Sequence, residues 1–298
     1  MTTEQQVDLS GRVDLSGRVV MITGANTGIG RATAADLAGR GASLVLACRS
    51  EDKARPVIDE LRAASGNEAV EFLALDLADL ASVRRAATEL LADERPLHVL
   101  VNNAGLAGQR GLTADGFELA FGTNHLGHFL LTTLLLDRLR GSATPGSPSR
   151  IVNVASGSHF DASGIDFDAV REPTRTVVGM REYSVSKLAN VAFTQELARR
   201  VDPTEVAVFA TDPGPVHTDV WRRIPGPIYA VFRRVMRLKP PAAGAAPSIF
   251  CVTEPGLGPR SGAYVDEHCR IVPPSPVATP ELGAELWRRS EAWVATTG

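Results

Sequence analysis

Short apolar runs rich in Val, Ile and Leu, without polar alternation, punctuate the chain at Arg18–Thr23, Ser43–Cys48, Ala69–Leu75, Leu97–Val101, Arg150–Ala155 and Val206–Thr211, with a weaker one at Gly262–Asp266. Runs of this kind are strands buried on both faces. Between them lie helix-period stretches at Gly30–Arg40, Lys53–Ala64, Ala81–Ala92, Gly116–Arg140 and Glu182–Val201. Strands and helices alternating at this interval need right-handed crossovers. The pattern predicts an α/β fold: a doubly wound, seven-stranded parallel sheet with helices on both faces.

Length alone suggests two domains, because 298 residues exceed the usual ~150 per domain. No linker divides the chain, however. The densest breaker stretch, Gly141–Ser149, reads as a surface loop between a helix and a strand. One domain is therefore expected over 16–298, preceded by a tail over 1–15. The hexapeptide VDLSGR occurs at 7–12 and again at 13–18, and only the second copy stands close to the first strand. Two copies this short make no structural repeat.

The 31 basic and 34 acidic residues leave a net charge of −3, so no overall field drives binding to nucleic acid. Cys48, Cys251 and Cys269 are odd in number and lack CxxC spacing. That suits a reducing compartment without a zinc cluster. His125, His128, His159, His217 and His268 also lack metal-ligand spacing, and no metal is expected. The first residues, MTTEQQVDLSGR, are polar and resemble no signal peptide. The greasiest stretch, Phe129–Leu136, falls far short of the ~20 residues a bilayer requires. A cytoplasmic protein is the expectation.

Directly after the first run comes Thr23-Gly24-Ala25-Asn26-Thr27-Gly28-Ile29-Gly30, opening a helix. Glycines permit a tight turn and close approach of backbone to a pyrophosphate, and the helix start supplies free N–H groups. The GxxxGxG spacing differs from the general GxGxxG fingerprint. The second run ends in Arg49 rather than an acid, which favours a 2′-phosphate and hence NADP(H); the bland alternative is a solvated arginine. Arg31 is a candidate second positive charge. Asp76, with Leu77 beside it, ends the third run, where it can meet an adenine amino group. Asn103, Ala104 and Gly105 follow the fourth run, at the carboxyl edge where such sheets bind ligands.

Tyr183 and Lys187 stand four apart, on one face of a helix. A free phenol has a pKa of ~10, and a neighbouring ammonium is expected to lower it. Lysine is rare here, with only Lys53, Lys187 and Lys239 among 31 basic residues, so a lysine at 187 points to a need for a compact ammonium.

TGxxxGIG at 23–30, NNAG at 102–105, Asn124 in NHLGH, Ser156 in RIVNVAS, the Tyr183/Lys187 pair and Pro213-Gly214 occur in that order. This set resembles the short-chain dehydrogenase/reductase family, with its Rossmann fold. Phrases such as GANTGIG, ACRS and NHLGHFLLT resemble the retinol dehydrogenase-like branch. The likeness covers about residues 15 to 295. It implies that Tyr183 gives or takes the proton, that Ser156 hydrogen-bonds the substrate oxygen, and that Lys187 holds the nicotinamide ribose and tunes Tyr183. Asn124 would hold a water linked to Lys187. Pro213, Gly214, Val216 and Thr218 would contact the cofactor. The chain departs from the family in two places. Ser156 and Tyr183 are 27 positions apart, so His159–Glu182 forms an insertion expected to wall the substrate pocket. The frequent His-Pro-Gly reads Asp212-Pro213-Gly214, which leaves the role of its first position open.

In this family the segment after Pro213-Gly214 forms the substrate lid, here about 214–240. Trp221, Ile224, Ile228, Tyr229, Phe232, Val235 and Met236 would make it apolar, while Arg222, Arg223, Arg233, Arg234, Arg237 and Lys239 make it basic. A solvated face accounts for that charge more simply than a membrane surface, an acidic substrate or a carrier protein. The expected activity is NADP(H)-dependent interconversion of a carbonyl and an alcohol on a bulky, mainly apolar small molecule, by a monomer or homodimer. The alternatives are a non-catalytic NADP-binding sensor and an epimerase or dehydratase on the same fold. Arginine and alanine richness suits a GC-rich bacterial genome.

Overall fold

The computed structural model describes residues 13–216 and 238–296. Strands β1 (Val19–Thr23), β2 (Ser43–Cys48), β3 (Val70–Ala74), β4 (Val99–Asn102), β5 (Ser149–Val154), β6 (Val206–Thr211), β7 (Tyr264–Val265) and β8 (Ile271–Val272) form one sheet in the order β3-β2-β1-β4-β5-β6-β7-β8. Every neighbouring pair is parallel except β7 with β8. The expected seven strands are present, and β8 is an addition. It escapes sequence reading because two residues carry no period. It exists because Asp266 folds the chain back, its Oδ1 accepting from the N–H groups of His268 and Arg270 at 2.9 Å each.

The absence of polar alternation has a direct structural counterpart. In β1, Val19 and Met21 join one hydrophobic cluster while Val20 and Ile22 join another, one on each face. Helices α1 (Gly28–Ala38), α2 (Glu51–Ser65) and α6 (Pro241–Thr253) bury their apolar sides in the second cluster. Helices α3 (Leu80–Ala92), α4 (Gly127–Gly141), α5 (Met180–Arg200) and α7 (Pro280–Thr296) bury theirs in the first. Trp287 of α7 stacks on Phe193 of α5 at 5.9 Å and meets Phe129 of α4 edge-on at 5.1 Å. Such aromatic contacts add to the area they bury.

The helix expected over Gly116–Arg140 is present from Leu119 to Gly141, with a π-helical turn inside it. A turn at Leu119–Phe121 leads into a π-helical turn at Gly122–Leu126, and α4 follows. The π turn holds Asn124, and π turns of this kind recur at functional sites. The tail expected at 1–15 ends earlier than residue 15. Leu15 is buried and its N–H reaches the Arg40 carbonyl at 2.8 Å, so the second VDLSGR copy belongs to the domain. No described helix is long and apolar enough to cross a membrane.

β1 lies between β2 and β4, so strand order reverses there. In an open α/β sheet the crevice outside the carboxyl ends at such a point is where ligands bind.

Candidate active site

A cleft of about 570 Å³ opens at that reversal. Gly24, Asn26, Thr27, Gly28, Ile29 and Gly30 line one end and Ser156, Tyr183, Lys187, Pro213, Gly214 and Val216 the other, with Arg49, Asp76, Leu77, Asn103, Ala104 and Gly105 along it. The cleft thus unites nearly all the residues singled out in the sequence. Asn124 stands just behind its wall. A Cβ on Gly105 would lie 3.3 Å from Asn124 Oδ1 and 3.5 Å from Lys187 Nζ. Thr218 and most of the expected lid lie outside the described residues.

The glycine turn is built for close approach. Gly24 and Gly28 adopt positive φ, +66° and +57°. Gly30 has no room for a side chain: a Cβ would sit 2.4 Å from Asn103 Nδ2 and 2.6 Å from the Gly24 carbonyl. The first turn of α1 holds no acidic residue. Its leading N–H groups have no intrahelical partner and so suit an anion. These features fit a dinucleotide pyrophosphate. At the adenosine end Arg49 is exposed, and Lys53 and Ser50 join it in the lining. Arg31 does not; it pairs with Glu60 on the surface. Lys53, four positions after Arg49, is a lining residue the sequence reading did not assign to the cofactor. Asp76 Oδ1 accepts from Ala78 N–H at 3.0 Å, which fixes its carboxyl at the rim.

One buried hydroxyl organises the far side. Thr23 Oγ1 accepts from the N–H groups of Asn103 (3.0 Å) and Ala104 (2.9 Å). It also lies 2.9 Å from His128 Nε2, while His128 Nδ1 is 3.0 Å from the Asn124 carbonyl. A carbonyl only accepts, so Nδ1 carries the proton and Thr23 donates to Nε2. Burial pulls the His128 pKa down to about 4 and keeps the ring neutral. Asn124 is clamped by its own amide as well. Nδ2 donates to Leu106 O (3.0 Å) and Ser186 Oγ (2.9 Å), and Oδ1 accepts from Leu106 N–H at 2.9 Å.

Ser156, just past β5, caps the short helical turn Gly157–Asp161, its Oγ accepting from Ser158 N–H at 3.2 Å. Its hydroxyl stands close enough to the Tyr183 phenol to favour the phenolate. Lys187 is buried, and its Nζ donates to Val154 O at 2.8 Å. The expectation that Lys187 lowers the phenol needs correcting. Burial dominates and pushes Tyr183 up to about 12, with the Ser156 hydrogen bond opposing and Asp212 adding to the rise. Burial likewise brings Lys187 down to about 8, against the pull of Asp212. The ammonium stands 5.6 Å from the ring centroid. A neutral phenol beside a hydroxyl is a hydrogen-bond pair able to hold a carbonyl oxygen and give it a proton.

The insertion is expected to wall the substrate pocket, most of whose lid lies outside the described residues. Nothing from 159 to 182 lines the cleft. Instead it braces the loop after β4: Thr174 Oγ1 accepts from Gly111 N–H at 3.1 Å and donates to the buried carboxylate of Glu118 at 2.5 Å. Leu106 and Gln109 of that loop do line the cleft.

This order of strand, glycine turn, polar carboxyl edge and Tyr–Lys helix is matched by the short chain dehydrogenase family model over residues 18–166 and 170–226. The chain belongs to the short-chain dehydrogenase family. Its similarity extends to the retinol dehydrogenase-like branch. Human retinol dehydrogenase 12 is 43% identical over 93% of this chain and 86% of its own. Bovine dehydrogenase/reductase SDR family member 13 is 42% identical over 94% of this chain and 74% of its own. Among solved structures, an uncharacterised protein of Mycobacterium paratuberculosis superposes with a TM-score of 0.76 at 32% identity, covering 96% of each chain. The Pseudomonas aeruginosa RhlG/NADP active-site complex gives 0.69 at 25% identity, covering 85% of this chain and 95% of that one.

Short-chain dehydrogenases bind nicotinamide cofactors, and the crowding at Gly30 gives a test in this member. Gly30→Ala is expected to force the turn apart and weaken dinucleotide binding by about 100-fold, as overpacking of ~1–3 kcal/mol implies. Titration of cofactor fluorescence against a variant with unchanged circular dichroism checks this; unchanged affinity would remove the turn from the binding site.

Proposed function

We propose that the protein is an NADP(H)-dependent oxidoreductase that interconverts a carbonyl and an alcohol on a bulky, mainly apolar small molecule. The observation that carries this reading is one cleft lined by the glycine turn together with Ser156, Tyr183 and Lys187. A bound nicotinamide cofactor supplies or accepts the hydride. The chain's own groups do the rest. In reduction, Ser156 and Tyr183 fix the substrate oxygen and Tyr183 passes its proton to it; in oxidation Tyr183 receives that proton. Lys187 carries charge next to the phenol, with one N–H committed to Val154 and the others available to the cleft. His128 and Thr23 hold Asn124 and the Asn103–Gly105 segment in place around them. The name of the retinol dehydrogenase relatives supports an apolar substrate.

Arg49 with Lys53 at the adenosine end supports NADP(H) over NAD(H), since an arginine fork matches a phosphate. Arg49→Asp is expected to lower the preference for NADPH over NADH by about 100-fold, the loss of a charge-assisted contact plus new repulsion. Paired dissociation constants measure it, and an unmoved preference would rule out Arg49 as the selector. The free cysteines support a reducing, cytoplasmic setting. The cover that α7 places over α4 and α5 favours a monomer.

A further inference from the structure

Asp212 follows β6 and replaces the histidine frequent at this position in the family. Its carboxylate is held in the cleft from two sides. Oδ1 accepts from Gly214 N–H at 2.8 Å, and Oδ2 accepts from the Tyr264 hydroxyl at 3.2 Å. Both donors are neutral, so neither cancels the charge. Oδ2 also rests against Gly157, where a Cβ would come within 3.1 Å of it, one residue from Ser156. Its charge is felt by both Tyr183 and Lys187.

This inference rests on the nicotinamide reading of the cleft. With the pyrophosphate at the glycine turn, the nicotinamide end of a dinucleotide falls toward Ser156, Tyr183 and Asp212. An oxidised nicotinamide ring carries one positive charge. Gaining a hydride, two electrons with one proton, leaves it neutral. A carboxylate fixed at that end therefore interacts differently with the two cofactor forms, and differential interaction is what shifts an equilibrium. We propose that Asp212 is a built-in counter-charge that biases the cleft toward the oxidised nicotinamide cofactor. Glycine at 157 and the anchors at Gly214 and Tyr264 exist to hold that charge in place. The bias favours alcohol oxidation when both cofactor forms are present.

Dissociation constants for NADP+ and NADPH, measured by isothermal titration at fixed pH and salt, test this in the full-length protein. Asp212→Asn keeps the side chain's size and removes its charge. The ratio of the NADP+ constant to the NADPH constant is expected to rise about tenfold, mostly through weaker NADP+ binding, as expected for unit charges roughly ten ångströms apart at an effective dielectric near 20. Asp212→Glu should keep the ratio near that of the wild type, and so should Tyr264→Phe, which removes an anchor but not the charge. Asp212→Ser answers the same question if the amide disturbs the turn. A ratio unchanged by either neutral substitution, with both forms still bound, would overturn the proposal and leave Asp212 a brace. If the wild type binds neither form, the nicotinamide reading itself falls and takes the proposal with it.

Discussion

Replacing Tyr183 by Phe is expected to lower turnover by about a thousandfold or more while leaving the cofactor dissociation constant within about threefold. A positioned general acid contributes about 10²–10⁴ to a rate, and a phenylalanine carries no proton to give. Ser156, beside the phenol, has its Oγ already accepting from Ser158 N–H. The aromatic ring stays, so the helix face and the cleft wall stay too. Steady-state rates with a responsive substrate, alongside a binding titration, separate the two effects. A variant retaining a tenth of wild-type turnover would move the proton donor elsewhere.

A second large effect is expected in acid. His125 and His128 are buried and held neutral, with pKa values drawn down to about 3 and about 4 by burial. Unfolded, each titrates near 6.5. Below that pH the unfolded chain takes up protons that the folded chain refuses, so stability is complete above about 6.5 and falls as pH drops toward 4. Each ring contributes on the order of 3 kcal/mol at the acid limit. His98 and His159, lowered for the same reason, act in the same direction. Paired carboxylates such as Glu196 matter only at lower pH, and Glu118, raised by burial, opposes the trend there. Chemical denaturation at several pH values should show the steepest loss between 6.5 and 4.5. His125→Phe keeps the aromatic packing against Phe121, Phe129 and Phe193 while removing one titration, and should flatten that slope. An equal slope in the variant would contradict the assignment.

These histidines also mark where sequence reading stops. The strands were legible because burial on both faces leaves a one-dimensional trace, and the glycine turn because its backbone needs are local. Tyr183 and Lys187 were legible as a helix-face pair. The hydrogen bonds joining Thr23, His128 and Asn124 span more than 100 positions and carry no period. The buried chain Thr132–Asn102–Asn153–Thr194, which ties α4 and α5 to neighbouring strands, is invisible for the same reason. The π turn around Asn124 starts at Gly122 and is followed by Gly127, and these glycines pack so closely on Thr113 and Leu77 that neither has room for a Cβ. The direction of the Tyr183 shift was missed because a cation four residues away is visible in the sequence, whereas desolvation is not. Asp212 was visible as a departure, but its partners Tyr264 and Gly157 come from opposite flanks of β6.

The central claim is hydride transfer coupled to a proton from Tyr183. Its most direct test follows NADPH absorbance at 340 nm while wild-type protein meets a panel of apolar aldehydes and ketones, with the alcohol quantified in parallel. At least one compound is expected to consume NADPH in equal amount to the alcohol formed, and Tyr183→Phe is expected to consume none. NADPH bound tightly by the wild type but consumed with no member of the panel would contradict it.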